Sequence, residues 1–259
     1  MVGFLYTNNN VASKNIAKIM IDEIGFSPFR DGCHTYQGIR LYDTFAPDII
    51  NIPTNYNENA LVVLSTHKSK NPEKALTVHY PGNWDKAEFG GIEKTLNFAP
   101  ASLMKNIAIE LEKAAQEIDY KFTLEADHHG PTTQTPIIYA EIGTESRQWE
   151  DLDAIRKMAK AIVKGTMEKR EYGTFFAVGG GHYPKEFNLI ETDKEEMAVG
   201  HILPKYLVDK IDKKMLFEAI EKSVEKVTQI RVIKESLNVK QKTKIADFAD
   251  EAELELAYI

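Results

Sequence analysis

The stretch that decides the fold is Ala60-Leu61-Val62-Val63-Leu64-Ser65-Thr66-His67-Lys68-Ser69. Its first half is a continuous apolar run of strand length, which is typical of a central strand buried on both faces. Its second half consists of hydrogen-bonding and charged side chains, so polar groups follow directly where the strand ends. Strand ends and the loops after them are where α/β proteins place their functional groups. The stretch therefore predicts a buried sheet and a candidate site residue at this strand end.

Strand-like and helix-like segments alternate on both sides of this run. Further short apolar, strand-like segments lie at residues 2–7, 39–45, 75–80, 122–126, 136–142, 174–178, 199–203 and 230–233. Helical spacing of apolar residues marks 11–24, 102–118, 149–167 and 216–227, and we expect the acidic tail, 244–256, to be helical as well. The alternation predicts an α/β protein with a mixed, mainly parallel sheet flanked by helices. We expect a single domain over residues 1–259; a division near the loop-like residues 83–100 is the alternative.

Composition narrows the class of protein. With 259 residues and 43% hydrophobic content, the chain can bury a full core. Its longest apolar runs are far too short to span a bilayer, and polar residues after Tyr6 interrupt the apolar N-terminus, so no membrane segment or signal peptide is predicted. A single cysteine, Cys33, excludes an internal disulfide and a cysteine-based zinc cluster. We expect a soluble cytoplasmic protein, and the sequence indicates no protein partner.

The net charge of −7 argues mildly against non-specific nucleic-acid binding, which depends on neutralising phosphates. Two basic clusters nevertheless stand out. The first is Arg156, Lys157, Lys160 and Lys164, which share one face at helical spacing; the second is Lys234, Lys240, Lys242 and Lys244. Each cluster is either a phosphate-binding patch or the solvated face of a surface helix, and charge alone does not decide between them.

Three of the seven histidines lie in two segments rich in turn residues, Glu125-Ala126-Asp127-His128-His129-Gly130-Pro131-Thr132-Thr133 and Gly179-Gly180-Gly181-His182-Tyr183. Each segment follows an apolar run, so both emerge where a strand ends. In a continuous strand His128 and His129 would point to opposite faces, so both reach one site only if the strand breaks at His128. Histidine and carboxylate are the main nitrogen and oxygen ligands of zinc. The two segments predict a hydrolytic site.

The three glycines are unsuited to a regular helix or strand. They indicate a loop whose N–H groups meet an oxyanion or phosphate, with a simple tight turn as the alternative. The sequence lacks the dinucleotide fingerprint, the P-loop, the G-x-S-x-G elbow and the H-E-x-x-H helix, so metal-activated water is the mechanism that the residue types best support. His79 is a weaker candidate, His201 is typical of a core histidine, and His34 is left out.

Five segments together resemble one family, the archaeal and plant-type D-aminoacyl-tRNA deacylases. They are residues 65–69, 75–79, 125–131, 139–143 and 179–183, they follow the family's order, and the similarity covers roughly residues 63–201. The resemblance implies a zinc-dependent hydrolase that cleaves the ester between a D-amino acid and the tRNA 3′ end. It also implies a phosphorylase/hydrolase-like α/β fold with two zinc ions per chain, and the aminoacylated tRNA 3′ end as partner.

The resemblance also assigns site residues by motif. The metal ligands would be Glu125, His128, His129 and His182. The catalytic residues around them would be His67, Lys68, Glu141 and Tyr183. The substrate contacts would be Thr132, Thr133, Gly179, Gly180 and Gly181. Which side chains are ligands and which are acid–base groups stays open at this point.

Two other classes of function compete with this one. A zinc peptidase, an amidase or a nucleoside phosphorylase could use a similar scaffold, although a phosphorylase needs a basic phosphate cradle and a nucleobase pocket that are not evident. A non-catalytic tRNA-binding module is the third hypothesis, and it predicts no stoichiometric metal.

Overall fold

The computed structural model describes residues 1–70, 72–193 and 195–259. In chain order its strands are β1 (Val2–Tyr6), β2 (Ser27–Arg30), β3 (Cys33–Tyr36), β4 (Ile39–Asp43), β5 (Ala60–His67), β6 (Ala75–His79), β7 (Gly82–Asn83), β8 (Thr95–Leu96), β9 (Lys121–Leu124), β10 (Ile137–Gly143), β11 (Gly173–Val178), β12 (Met197–Leu203), β13 (Val227–Val232) and β14 (Glu255–Tyr258). Its α-helices are α1 (Val11–Ile19), α2 (Ala101–Glu117), α3 (Ser146–Trp149), α4 (Leu152–Met167), α5 (Lys185–Thr192), α6 (Lys213–Glu221) and α7 (Val239–Glu251).

The larger sheet has eight strands in the order β2-β3-β4-β1-β5-β10-β6-β9. Strand β5 lies inside it and pairs in parallel with both β1 and β10. Its apolar residues are completely or almost completely buried, so the prediction of a central buried strand is confirmed. Strand β6 runs antiparallel to β10, which makes the sheet mixed.

The second sheet has four strands in the order β12-β11-β13-β14, and all its pairs are parallel. Helix α2 contacts strands of both sheets, and the main apolar cluster contains residues of both, including Val62 and Val199. The predicted mixed, mainly parallel sheet flanked by helices is therefore confirmed. A shared apolar cluster is what the one-domain expectation requires, and that expectation stays a prediction.

The two faces of the larger sheet differ in chemistry. Side chains alternate along a strand, and Val62 and Leu64 pack in the main cluster on the side of α1, α2 and α4. The intervening residues of β5 point to the opposite face, where Leu61 and Val63 form a smaller apolar cluster. Beyond that cluster, the same face continues with polar residues up to His67. A polar site can therefore lie on this face without disturbing the main core.

Three segments differ from the sequence prediction. Residues 27–36 form the hairpin strands β2 and β3, a region for which the sequence predicts no strand. Helix α5 was not predicted. The C-terminal helix ends at Glu251 instead of continuing to residue 256, because Glu253 takes a positive φ of 55° and turns the chain so that β14 pairs with β13. Within the described ranges, no helix is long and apolar enough to cross a membrane.

A close contact between α2 and α4 provides a test of this packing. A Cβ added at Gly165 would lie 2.6 Å from the Asn106 carbonyl oxygen and from the Ile107 Cα. Gly165→Ala should therefore lower the free energy of unfolding by about 1–3 kcal/mol, because a methyl group in a packed interface forces the backbones apart. Helix propensity alone predicts the opposite, a gain of about 1 kcal/mol.

Urea denaturation measures the difference, with the exposed Lys160→Ala in the same helix as the near-neutral control. A gain in stability for Gly165→Ala would contradict the close helix contact.

Candidate active site and metal centre

The candidate site lies on the face of the larger sheet opposite α1, α2 and α4. Three of its side chains come from within strands, namely His67 of β5, His79 of β6 and Glu141 of β10, and the strand register places Glu141 beside Ser65 on one neighbour and Thr77 on the other. The other four, Glu125, His128, His129 and His182, come from the loops after β9 and β11. The site is therefore built on the surface of the sheet as well as at strand ends.

Glu125 occupies the centre of this group and is 2% exposed. One carboxylate oxygen, Oε2, lies 3.0 Å from His182 Nε2 and 4.0 Å from His128 Nε2; the other, Oε1, lies 3.2 Å from His67 Nδ1. Burial raises the pKa of Glu125, but the bonds with His182 and His67 outweigh it and hold the pKa well below its usual range. Glu125 is therefore ionised and joins histidines from three different segments.

Glu141 and His67 form the second ionic contact, with 3.5 Å between Glu141 Oε2 and His67 Nδ1. Burial raises the pKa of Glu141, and contacts with His67 and His79 more than compensate, lowering it to about 2. Burial lowers the pKa of His67, whereas Glu125 and Glu141 raise it, and the net result is a pKa of about 10. In the metal-free protein His67 is thus a cation between two carboxylates.

His79, His128 and His129 are oriented in the same way. Each Nδ1 contacts a backbone carbonyl oxygen: Tyr80 O at 3.2 Å for His79, Ala126 O at 2.9 Å for His128, and Gly130 O for His129. A ring that donates its Nδ1–H to a carbonyl presents Nε2 as a lone pair, which is the usual arrangement of metal-binding histidines. One ligand nitrogen from each of the three rings lies within 4.8 Å of the others.

Two of these three histidines have the neutral state that metal binding needs. Burial, followed by the charge of His79, lowers the pKa of His128 well below its usual range and that of His129 to about 4, so both are neutral, as ligands must be. Burial lowers the pKa of His79 too, but Glu141 reverses the direction and leaves it raised. Two of the three rings are thus ready to bind a cation.

Unsatisfied buried atoms test whether a metal fits here. His79 Nε2 is buried without a hydrogen-bond partner, and Glu125 Oε1 has none beyond its ionic contact with His67. An unpaired buried polar atom costs about 1–3 kcal/mol. Three sets of side chains have ligand atoms within 4.8 Å of one another: His79, His128 and His129; Glu125, His128 and His182; and His67, Glu125 and Glu141. The first and third share no residue. The donor set of imidazoles and carboxylates fits zinc.

The loop after β9 brings two adjacent histidines to one place. Strand β9 ends at Leu124, and the His128 and His129 rings lie 4.6 Å apart between centroids. His129 takes a positive φ of 46°, a left-handed conformation that costs a residue with a Cβ about 1–2 kcal/mol. The strand break that the sequence required for convergence is present.

Residues 54–257 match the family model of the D-aminoacyl-tRNA deacylases. The chain belongs to the D-aminoacyl-tRNA deacylase family. The predicted family and the predicted enzyme class are therefore confirmed.

Relatives of this deacylase family member support the assignment. A protein of Saccharolobus islandicus named D-aminoacyl-tRNA deacylase is 37% identical over 195 residues, covering 73% of this chain and 78% of the relative. One of Ignicoccus hospitalis with the same name is 34% identical over 201 residues, covering 78% and 81%. The crystal structure of a conserved protein of unknown function matches with a TM-score of 0.90 at 24% identity, covering 100% of this chain and 95% of that one, so the fold is shared.

In the predicted glycine loop of this deacylase family member, two of the three N–H groups already donate hydrogen bonds within the chain. The N–H of Gly179 donates to the Leu203 carbonyl, and that of Gly180 donates to Ser236 Oγ. Both glycines have positive φ, and a Cβ at Gly180 would lie 2.9 Å from Pro184. The loop is thus a tight turn that delivers His182, and of its three glycines Gly181 borders open space. Substrate contact through this loop stays a prediction.

The other predicted site residues lie at the edge of the centre. Thr132 accepts a hydrogen bond from Ile92 N, and Thr133 donates its own N–H to Asn97 Oδ1. Both therefore join the 83–100 segment to the loop that carries His128 and His129, here called the histidine loop. Lys68 is exposed, with its Nζ 5.5 Å from the centre of the Trp149 ring. Tyr183 is 40% exposed, and its ring packs edge-on against His182.

Sequence reasoning undervalued His79, which lies inside a buried strand and is typical of a core residue by position alone. A usable signal was its alternation with Thr77 along β6, which puts two polar side chains on one face of an otherwise apolar strand. His201 belongs elsewhere: its two ring nitrogens contact Asp127 and the Lys222 carbonyl, which ties the histidine loop to β12. This agrees with the expected core role.

The basic cluster on α4 is largely neutralised. Arg156 pairs with Glu23, Lys157 with Glu117, and Lys164 with Glu110. Helix α4 also packs on the face of the sheet opposite the site. The interpretation as a solvated helix face is therefore favoured over a phosphate-binding patch. In the C-terminal cluster, Lys244 donates to two backbone carbonyls and has a structural role.

The charge arrangement predicts how stability depends on pH in chelator-treated protein. His67 has a folded pKa of about 10, above its ordinary 6.5, so its contribution is complete below pH 6.5 and disappears as the pH rises towards 10. Glu141, at about 2 against 4.5, contributes fully above pH 4.5 and loses this as the pH falls towards 2. The free energy of unfolding of the wild type should therefore decline from pH 6.5 to 10 more steeply than that of His67→Gln.

Urea titrations at several pH values measure both slopes. Parallel declines in the two proteins would show that His67 is not held as a cation by the carboxylates.

Proposed function

We propose that this chain is a zinc-dependent hydrolase that cleaves the ester of D-aminoacyl-tRNA to release a free D-amino acid and tRNA. Membership of the family supports the substrate. The observation that carries the mechanism is the position of Glu125, which is buried and joins His182 to His67. It lies beside His79, His128 and His129, here called the three-histidine group. A carboxylate that orients a histidine next to a metal-binding group is an arrangement that supports hydrolysis of an ester by water.

Two sets of side chains would hold two zinc ions, the number that the family resemblance implies. His79, His128 and His129 would hold one ion through Nε2, since each Nδ1 already contacts a carbonyl. His67, Glu125 and Glu141 would hold the other, because these sets share no side chain. When bound, zinc supplies the Lewis acidity that makes water a nucleophile near neutral pH.

His182 is left outside both sets and is our candidate for moving the proton. Its Nε2 donates to Glu125 Oε2, which fixes the ring and leaves Nδ1 to take up a proton. Its side chain is 31% exposed, so substrate and water can reach it. This assignment differs from the ligand role that the resemblance gave it, and the set containing Glu125, His128 and His182 keeps that role as the competing outcome of the test below.

In the proposed reaction, one proton passes from water through His182 to the leaving ribose oxygen. The oxygen of a water molecule bonds to the ester carbonyl carbon, and the water proton passes to His182 Nδ1. The bond between that carbon and the ribose oxygen breaks, and His182 returns the proton to the ribose oxygen. The products are the D-amino acid and a tRNA with a free terminal hydroxyl. The substrate's ester is already activated, so selection of the substrate is the larger task of the protein.

The function is tested by deacylation of matched D- and L-aminoacyl-tRNA with one preparation, with and without a chelator. We expect rapid release from the D-substrate, little from the L-substrate, and loss of activity on chelation that zinc restores. A peptidase or phosphorylase would leave both tRNAs intact. A non-catalytic module would bind tRNA without stoichiometric metal. Undiminished activity in chelator would contradict the zinc-dependent mechanism.

Single variants separate ligands from the proton carrier. His79→Ala should lose bound zinc and activity together, since its buried Nε2 would no longer complete the three-histidine set. His182→Ala should keep its zinc and fold yet lose about 10²–10⁴-fold in rate, as expected for a proton-transfer group. Elemental analysis, initial rates and thermal melting give the three readouts.

The matched control is His34→Ala, on the β3 strand outside the site, which should keep both zinc and rate. Loss of zinc in His182→Ala would assign His182 to the ligands instead.

A further inference from the structure

A cavity of about 610 Å³ opens beside the candidate centre. It lies along strands β6 and β9, with Ala75 and Thr77 on one strand and Thr123 on the other. His67 lines it as well, and the same side chain contacts Glu125 and Glu141. The cavity is within the usual size range of small-molecule sites, and through His67 it adjoins the groups proposed for hydrolysis.

Two hydroxyl groups on its wall lack partners. Thr77 is completely buried and Thr144 is 7% exposed, and the Oγ1 atom of each is buried without a hydrogen-bond partner. Such a group costs about 1–3 kcal/mol compared with one that is paired. A valine would have nearly the same shape without that cost. Two unpaired hydroxyls on residues that line one cavity indicate a polar ligand that supplies the missing bonds.

The surrounding charge indicates which polar group. Thr77 pairs in register with the carboxylate residue Glu141, and His79 follows two residues later on the same face of β6. Two residues of a strand span about 7 Å, so Thr77 lines the cavity at about that distance along β6 from His79. A cation with several N–H donors satisfies hydroxyl oxygens beside a carboxylate. The α-ammonium group of an aminoacyl ester has this chemistry.

We propose that this cavity binds the aminoacyl group of the substrate, with the α-ammonium on the hydroxyls of Thr77 and Thr144 and the amino-acid side chain extending along β6 towards Ala75. The inference rests on the proposed function and adds the substrate subsite to it. In this pose the ester carbonyl lies at the His67 end of the cavity and the ammonium lies on the hydroxyls. In an L-amino acid the side chain and the α-hydrogen exchange positions, so the side chain would point out of the cavity. Chirality is then selected by three points of contact.

Thr77→Val and Thr144→Val test the ammonium contact, with Thr174→Val as the matched control. Thr174 is likewise fully buried with an unpartnered Oγ1, but it lies in β11 of the other sheet. All three variants should melt at the same temperature as the wild type or higher. Thr77→Val and Thr144→Val should lose roughly 10- to 150-fold in kcat/KM on D-phenylalanyl-tRNA, because each removes a bond to a charged donor. Thr174→Val should keep full activity, and zinc content should be unchanged in all three.

A substrate change makes the assignment specific. D-phenyllactyl-tRNA carries a hydroxyl in place of the ammonium, so the wild type should hydrolyse it poorly, and Thr77→Val should cost it little more. Equal losses on both substrates would show that Thr77 acts through structure and not on the ammonium. Unchanged activity in both Thr77→Val and Thr144→Val, with a wild type that deacylates D-phenylalanyl-tRNA, would overturn the inference while leaving the proposed function intact.

Filling the cavity tests the path of the amino-acid side chain. Thr123 is half-buried on the cavity wall, and an aromatic residue suits a strand. Thr123→Phe should reduce kcat/KM for D-tyrosyl-tRNA at least about 10-fold more than for D-alanyl-tRNA. Equal effects on the two substrates would place the side chain elsewhere, and an inactive wild type would instead reject the proposed function.

Discussion

Two ionised carboxylates buried on one face of a sheet are the constraint on which this site depends. Glu125 and Glu141 are 2% and 4% exposed, and removing such groups from water costs several kcal/mol each unless partners compensate. The compensation comes from histidines, chiefly His67 between the two carboxylates. Because these partners come from strands and loops far apart in sequence, the charge of the carboxylates determines where several segments must meet.

Local backbone conformations bring the remaining histidines to the carboxylates. The tight turn at Gly179 and Gly180 brings His182 to Glu125, and the left-handed His129 folds its ring beside His128. Asp127, in the loop that carries His128 and His129, contacts His201 on the second sheet. The left-handed conformations cost local conformational energy, and the packing of the surrounding loops holds them in place. The glycine turn, the left-handed His129 and the Asp127–His201 contact therefore together position the histidines around the carboxylates.

Local pattern was enough to predict much of the fold, and less of the site. Continuous apolar runs identified β5 and β10, and helical spacing identified α2 and α4, because each buries one face over many residues. The polar hairpin of β2 and β3 and the short helix α5 bury too little apolar surface to leave such a pattern. His128, His129 and His182 stood out because turn residues surround them. His79 stood out less, because its alternation with Thr77 is a weak local signal and its contact with Glu141 depends on pairing between strands.

The origin of His182 has a consequence for how the protein is made. Of the described groups that contact Glu125, His67 and His128 are carried by the first sheet and its loops, whereas His182 follows a strand of the second sheet. A growing chain contains all the proposed metal ligands well before residue 182 has been synthesised, because the last of them is Glu141. The proposed proton carrier reaches Glu125 only once the second sheet has formed. Under the proposed function, incomplete chains would therefore be able to collect metal without yet hydrolysing esters.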